Sequence, residues 1–521
     1  MLPSHNVPLT PIRFLYRAID LFGRKTGIVS GDREFTYGEF GRRCEQLAAA
    51  LRAAGVRPGD RVAYLSFNTH QLLEGYYGVP MADAVVMPLN VRLTASELTG
   101  MIAHSGARVL FYEADFESIA SGLPVERRIR LDQEYEFFLA SATPGKVDFM
   151  AVDENSPAEL FYTSGSTGTP KGVVLTHRTL YLHAMSVATC YVDPPTMVDL
   201  HTIPLFHANG WGHAHASTMM GVKHVMVRRF DPLSVYELIA KHRATEMSLV
   251  PTMANALLAV ADVSAYDLSS MRQIQIGGAA SSPELIARLE ARFRCRVFAG
   301  YGLTETAPVL TFARPKGGLT YGSDRERHER QAMTGWPVPG VEIRVVDGDA
   351  KDVPRDGASI GEVITRTDHV MAGYFNDPEA TRAVIRDGWF YTGDMAVWDD
   401  EAYIHIVDRK KEIIVSGGEN ISSLEVERAI SAHPAVYECA VVAAPDDTWG
   451  EVPAAIIVTK PGVPLTAAEL CGFLVGRIAK FKMPRRIDFS EDPLPKTGTG
   501  KIRKLELKER YWAGKTKRVQ G

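Results

Sequence analysis

Apolar positions recur every three to four residues through 37–54 (Phe40, Leu47, Leu51), and Gly55 follows. That spacing predicts an amphipathic helix stopped by the glycine, because side chains three and four apart share a face. Short apolar runs at 61–65 and 108–112 read as strands, with a helix over 96–105 after a turn at Asn90. Apolar strands are predicted again at 160–162, 173–175 and 274–276, the last ending in small residues. Ser281-Ser282-Pro283-Glu284 then supplies the cap and proline of a helix start. From 412 onward the pattern is a smaller unit: a helix over 422–431, strands at 439–442 and 454–458, and a helix over 467–479. Helices alternating with strands cover both faces of a mostly parallel sheet. The expected fold is α/β, with a large N-terminal domain of mostly parallel sheets and a small α+β C-terminal domain. No repeat or low-complexity segment interrupts it.

Composition narrows the class. At 521 residues the chain exceeds one ordinary domain. Apolar residues make up 45% and charged residues 23%, the balance of a soluble globular protein. Net charge is −4 with a pI near 6.4, so no general nucleic-acid-binding surface is indicated. The lysines and arginines of the last twenty residues read as a solvated tail. Cys44, Cys190, Cys295, Cys439 and Cys471 are scattered without a CxxC pair, which fits a reducing, cytoplasmic setting. No apolar run reaches the roughly eighteen residues that span a bilayer, so no integral membrane segment is expected, and residues 1–11 lack a signal-peptide pattern.

The chemistry concentrates in a few loops. Thr163-Ser164-Gly165-Ser166-Thr167-Gly168-Thr169-Pro170-Lys171-Gly172 lies between the strands at 160–162 and 173–175. Glycines let the backbone approach a ligand, successive N–H groups form an anion nest, and hydroxyls and Lys171 add donors and charge. Polyphosphate is the expected guest. The loop is not a Walker A motif, which needs Gly-Lys-[Ser/Thr] followed by a helix. In Gly300-Tyr301-Gly302-Leu303-Thr304-Glu305-Thr306, an aromatic ring can cover a purine, a hydroxyl can donate to phosphate, and a carboxylate can hold Mg2+. In Trp389-Phe390-Tyr391-Thr392-Gly393-Asp394, a carboxylate can accept both ribose hydroxyls. His207, His213 and His215 raise a metal reading, but no Glu or Cys completes a set.

These loops together resemble the signatures of the adenylate-forming superfamily: acyl- and aryl-CoA synthetases, peptide-synthetase adenylation domains and firefly luciferase. The resemblance runs from about residue 30 to about residue 507. It implies ATP, Mg2+ and coenzyme A as cofactors and cosubstrates, and a small-molecule carboxylic acid as partner. By resemblance, residues 163–169 and Lys171 hold the phosphates, and Thr163 and Glu305 the metal. Tyr301 and Thr304 contact the nucleotide between Gly300 and Gly302, and Gly278, Ala279 and Ala280 line adenine. His207, Trp211, Gly278 and Gly302 belong to the acyl pocket. Asp394 takes the ribose, and Arg409 ribose or phosphate. Lys411 stands at the hinge between domains 1–410 and 411–521. Ser416, Gly417, Gly418 and Glu419 face the thiol half-reaction. Lys501, after its Pro495-Lys496-Thr497-Gly498 lead-in, matches the catalytic lysine, and Lys496 is not to be mistaken for it.

The implied reaction is acid activation as acyl-AMP with release of pyrophosphate, then thioester formation after the C-terminal domain, mobile in the family, rotates. The segment around His207 looks most like fatty-acyl and alkylthiopropionate CoA ligases. Aryl acids, a carrier-protein thiol as acceptor, luciferase-type oxygenation and a catalytically silent nucleotide-binding scaffold remain alternatives. A homodimer is left open.

Overall fold

Thr36 starts the first long helix as the periodicity predicts. Its hydroxyl accepts the Glu39 N–H while Glu39 reaches back to the Thr36 N–H, and the helix runs Tyr37–Ala53. This reciprocal cap satisfies donors that the first helical turn leaves without partners. Tyr37, Phe40, Leu47 and Leu51 are fully buried. Each such large apolar side chain contributes about 1.5–3 kcal/mol of burial. The computed structural model describes residues 6–163, 170–191, 194–410, 412–416, 419–446, 448–496 and 502–513.

The chain divides into two compact units, residues 1–343 with 365–391, and residues 344–364 with 392–521. The first unit holds two large sheets. One runs in the order Gly373–Tyr374, Lys171–Thr176, Pro157–Thr163, Val85–Pro88, Arg61–Leu65, Val109–Tyr112, Arg127–Arg130. It is parallel from Pro157–Thr163 outward, while the Pro157–Thr163/Lys171–Thr176 pair is an antiparallel hairpin with Gly373–Tyr374 on its free edge. The other has a parallel centre of Arg296–Gly302, Gln273–Ile276, Glu246–Leu249, Val198–His201, Lys223–Met226 and Thr26–Ser30. Antiparallel strands finish it at both ends. This is the mostly parallel, helix-covered arrangement the alternation predicts.

A five-stranded sheet contains Val341–Val346, Gly361–Thr367, Trp389–Trp398 and Ile385–Arg386, with Ile404–Arg409 paired to Trp389–Trp398. In the second unit another sheet joins Glu419–Ile421, Ile414–Ser416, Gly450–Thr459 and Val436–Asp446, with Arg486–Phe489 parallel to Gly450–Thr459. Ile414, Val426, Ile430, Val441, Ile457 and Leu470 form its core. The helix expected over 467–479 stops early, at Ala467–Leu474, and this corrects the sequence reading. Val475 takes ψ 127° and Gly476 φ +77°, so the backbone leaves the helix there. Among the described residues no helix is long and apolar enough to cross a membrane.

Candidate active site

The phosphate-loop candidate is a hairpin connection. Leu160, Phe161, Val173 and Leu175 are buried and fix its two strands. Their register sets Thr163 directly opposite Lys171. Ser164, Gly165, Ser166, Thr167, Gly168 and Thr169 lie outside the described residues, so the loop is known from its two ends. Beyond it, the Phe375 N–H donates to the Gly172 carbonyl at 2.7 Å. A β-carbon on Gly172 would sit 3.0 Å from Leu160 Cδ1 and 3.2 Å from Phe375 Cβ, so close packing favours glycine there.

Lys171 and Glu305 meet the same side chain, Tyr374. The Lys171 ammonium lies 4.7 Å from the centroid of the Tyr374 ring, within cation–π range. The Tyr374 hydroxyl donates to Glu305 Oε1 at 3.0 Å. Glu305 sits in a 3-10 turn, Thr304–Thr306. The Thr306 hydroxyl accepts the Leu303 N–H at 3.1 Å, the Met371 N–H donates to the Glu305 carbonyl at 2.8 Å, and His369 Nδ1 lies 3.1 Å from the Thr306 carbonyl. Burial lowers His369 to about 4, which keeps it neutral near pH 7. A β-carbon on Gly302 would lie 1.8 Å from the Pro308 carbonyl oxygen, so only glycine fits at that position. Tyr301 is half-buried at the end of the strand Arg296–Gly302.

Mg2+ prefers hard oxygen ligands and is commonly held by one or two carboxylates together with substrate phosphates. Glu305, a half-buried carboxylate oriented through one oxygen by Tyr374, fits that role. Among the described residues no cluster of three or more His, Cys, Asp or Glu could hold a metal by itself.

Two of the acyl-pocket candidates, Trp211 and Gly278, lie together. A β-carbon on Gly277 would lie 3.0 Å from Trp211 Cη2, and one on Gly278 would lie 3.6 Å from Trp211 Cζ2. The indole thus packs on a strand end without side chains. Gly278, Ala279 and Ala280 are exposed. Trp211 is carried by five consecutive residues in left-handed backbone, with φ of 38°, 39°, 60°, 68° and 82° from Ala208 to Gly212. For residues other than glycine this conformation costs roughly 1–2 kcal/mol each. Such strain persists only where the surroundings fix it. Asn209 supplies one anchor, donating from Nδ2 to the buried Glu159 Oε2 at 2.8 Å. Glu159 Oε1 lies 2.8 Å from His215 Nε2, and His215 Nδ1 lies 3.2 Å from the Tyr77 hydroxyl. His207 precedes the turn and stacks obliquely on Phe206, 4.7 Å between centroids.

His213 and His215, three and five residues after Gly210, serve different carboxylates. His213 Nδ1 is 3.1 Å from Asp199 Oδ2, inside a fully buried group that includes His201 and Glu246. Burial alone would lower His213, but the Asp199 charge and hydrogen bond raise it to about 9. Burial raises Glu246 to about 7, against hydrogen bonds from Gln273 and Gln275.

In the second unit, Asp394 and Arg409 are register partners on adjacent strands, and Arg409 Nε lies 2.7 Å from Asp394 Oδ1. The buried carboxylate is held by the half-exposed arginine, so the two ribose candidates form one feature. Ser416 ends the strand Ile414–Ser416, opposite Glu419. Lys411, Gly417, Gly418 and Lys501 lie outside the described residues. Lys496 pairs with Glu438 at 2.6 Å, and a bridge from Lys496 to Ile502 brackets the segment carrying Lys501. Three residues beyond Lys501, Lys504 is half-buried, with Glu427 at 2.9 Å, Ser423 Oγ at 2.7 Å and Glu412 at 3.4 Å. Tyr374, Glu159, His369 and Lys504 are residues the sequence motifs do not single out. For Lys504, its place three residues after Lys501 is the sequence signal.

Two family models and several known proteins match the chain. The family model described as AMP-binding enzyme matches residues 15–375, and that of the AMP-binding enzyme C-terminal domain matches 425–501. The chain is 39% identical to a long-chain-fatty-acid–CoA ligase of Thermus thermophilus, covering 96% of this chain and 95% of that one. It is 34% identical to 2-methylpropanoate–CoA ligase CCL4 of Humulus lupulus, covering 97% and 96%. The crystal structure of the anthranilate CoA ligase AuaEII in complex with anthranoyl-AMP superposes with TM-score 0.85 at 26% identity, covering 97% and 98%.

Proposed function

The chain belongs to the AMP-binding enzyme family, in its acyl-CoA synthetase branch, and is an AMP-forming acid–thiol ligase; on that premise we propose that its acid is apolar, fatty or related, and that Mg2+ joins ATP at Glu305. The observation that carries this reading is the placement of Lys171 and Glu305 on one tyrosine beside the glycine-rich hairpin, in the unit that also holds the Trp211–Gly277–Gly278 surface.

A carboxylate is a poor acylating agent because its leaving group is oxide. Its attack on the α-phosphorus of ATP forms the acyl–phosphate bond and breaks the bond to the bridging oxygen, releasing pyrophosphate. Anion meets anion, so the protein's task is positioning and charge neutralisation. Lys171 offers its ammonium at the loop's end, and Lys501 brings a second cation. Glu305 would hold the metal, which when bound would supply further neutralisation of the phosphates. Trp211 and the glycines of 277–278 receive the apolar part of the acid. No general base is needed in this half, because the acid is already ionised at pH 7. In the second half the coenzyme A thiol loses its proton, attacks the acyl carbonyl and expels AMP. We place that step after rotation at Lys411, between domains 1–410 and 411–521, with Ser416 to Glu419 facing the thiol. A second reading, an aryl acid, is favoured by the indole edge of Trp211 beside Gly277 and Gly278, an aromatic wall next to positions without side chains.

Pyrophosphate release with Mg·ATP across aliphatic and aryl acids, with and without coenzyme A and beside Lys501→Ala, tests the proposal. Acid-dependent release that yields a thioester and collapses in the variant is the expected result. Release without thioester would assign the acceptor to a carrier-protein thiol. ATP binding without release for any acid would return the protein to a silent scaffold.

A further inference from the structure

Among the described residues, Tyr374 is a side chain that touches both charges at the mouth of the hairpin. Its ring lies under the Lys171 ammonium at 4.7 Å, and its hydroxyl donates to Glu305 Oε1 at 3.0 Å. Lys171 and Glu305 do not pair with each other. The backbone fixes this arrangement from three sides. Gly373 and Tyr374 bridge Val174 and Val173 in antiparallel register, the Phe375 N–H donates to the Gly172 carbonyl at 2.7 Å, and the Met371 N–H donates to the Glu305 carbonyl at 2.8 Å. The segment 371–375 thus splints the Glu305 turn to the Lys171 strand. A β-carbon on Gly373, whose φ is +152°, would lie 3.0 Å from Thr381, and the Thr381 hydroxyl accepts the Tyr374 N–H at 2.9 Å.

We propose that Tyr374 is a positioning residue that holds Lys171 and Glu305 apart, so that the cation stays directed to phosphate and the carboxylate to the metal. This rests on the ligase reading above. A lysine and a glutamate at the same site attract each other, and a direct ion pair would neutralise both before the nucleotide arrives. A phenol prevents this by giving each charge a weaker neutral partner: a π-face for the ammonium and an O–H donor for the carboxylate. Both contacts can be exchanged for ligand contacts without leaving a buried charge uncompensated. Tyr374 thereby acts on ATP and metal through Lys171 and Glu305 and not by contact with the reacting atoms.

The two halves of the phenol separate in the test, which reads equilibrium binding of ATP by calorimetry and of Mn2+·ATP by electron paramagnetic resonance on the full chain. Tyr374→Phe keeps the ring and removes the donor. It is expected to weaken Mn2+ uptake into the nucleotide complex about fivefold while leaving metal-free ATP affinity within about twofold, as for loss of one hydrogen bond. Tyr374→Leu removes both contacts and is expected to weaken metal-free ATP binding as well, about fivefold to tenfold, because Lys171 is then captured by Glu305. Adding Glu305→Gln to Tyr374→Leu removes the captor, and metal-free ATP affinity is expected to return. A merely structural role for Tyr374 does not yield that recovery. Equal Mn2+ uptake by wild type and Tyr374→Phe, or no recovery in the double variant, overturns the inference while wild-type binding leaves the ligase reading standing. Wild-type protein that binds neither ATP nor Mn2+·ATP overturns both.

Discussion

Two lysines of this molecule sit among carboxylates in opposite ways. In the first unit Lys171 rests on the Tyr374 ring while Glu305 takes the same residue's hydroxyl, and lysine and glutamate stay unpaired with each other. In the second unit Lys504 contacts Glu427 at 2.9 Å and Glu412 at 3.4 Å with little exposure. Burial disfavours the Lys504 ammonium, but Glu427, Glu412 and Asp408 outweigh it and hold its pKa above the ordinary lysine value. The difference separates two uses of charge. At Lys171 and Glu305 the charges proposed to meet a ligand are held by one neutral group that can be exchanged, unlike the proposed ribose carboxylate Asp394, which is paired with Arg409. Charge that ties chain segments together is neutralised in place.

The comparison breaks first at Lys504. Lys504→Met leaves the half-buried Glu427 without its cation, and breaking this largely covered pair is expected to cost about 3 kcal/mol, the lower end for buried pairs. The midpoint of denaturant unfolding is expected to fall accordingly, and adding Glu427→Gln to recover part of the loss. An unchanged midpoint would class Lys504 with surface lysines. Lys171→Met should do the reverse. Its stability is expected to stay within about 0.5 kcal/mol of wild type, as for a residue outside any buried pair. Its pyrophosphate-releasing rate is expected to fall about 10²–10³-fold, which is roughly 2.7–4 kcal/mol of transition-state stabilisation. A Lys171→Met protein as unstable as Lys504→Met would erase the distinction.

Asn209 sharpens the same contrast at the acyl surface, where a neutral amide meets the buried carboxylate of Glu159 at 2.8 Å. Asn209→Ala removes an anchor of the left-handed turn that carries Trp211. The expected outcome is a KM for the acid raised about tenfold, from loss of one hydrogen bond to a charged group, with the KM for ATP unchanged. Equal changes in both constants would show that the turn supports the whole site and not the acid alone.

The parts legible in the sequence are local ones. The helix Tyr37–Ala53 shows itself because its apolar positions and its cap lie within seventeen residues and one neighbour. The hairpin from Pro157–Thr163 to Lys171–Thr176 shows itself because glycines and hydroxyls interrupt two apolar runs. Tyr374 does not, since it reaches Lys171 from some two hundred positions away on the two-residue strand Gly373–Tyr374, too short to carry any periodicity. Glu159 stands in an apolar strand, where its buried role appears only with Asn209 and His215 beside it. The left-handed backbone of Ala208 to Gly212 has glycines at only two of its five positions, so turn chemistry alone does not announce it. The end of the helix Ala467–Leu474 was obscured because Ile478 and Ala479 continue the apolar pattern past Val475.

The smallest effect belongs to a third kind of charged site, buried and shared. Asp199, His201, His213 and Glu246 are all fully buried, with Ser217 donating to Asp199 at 2.8 Å and Gln275 to Glu246 at 2.6 Å. Burial raises Glu246 from 4.5 to about 7, so the folded state binds this proton more tightly than the unfolded chain does. Its contribution to stability is complete below the unfolded value and is lost as pH rises through about 7. His213 goes the same way, complete below 6.5 and lost as pH rises through about 9. Asp199 is lowered, chiefly by His201 and His213 against the burial that raises it, so its contribution disappears only in acid. The Glu246 and His213 contributions therefore fall from mildly acidic to alkaline pH, against buried histidines held below 6.5, such as His201 and His369, whose contributions grow over the same acidic range. Glu246→Gln keeps the shape and removes the acid, and it is expected to raise stability at pH 7 relative to pH 5, compared with wild type, while the later fall through His213 persists. If variant and wild type keep the same pH profile from 5 to 7, Glu246 is already ionised in the folded protein, and the His213 cation is then neutralised by two carboxylates, as Lys504 is.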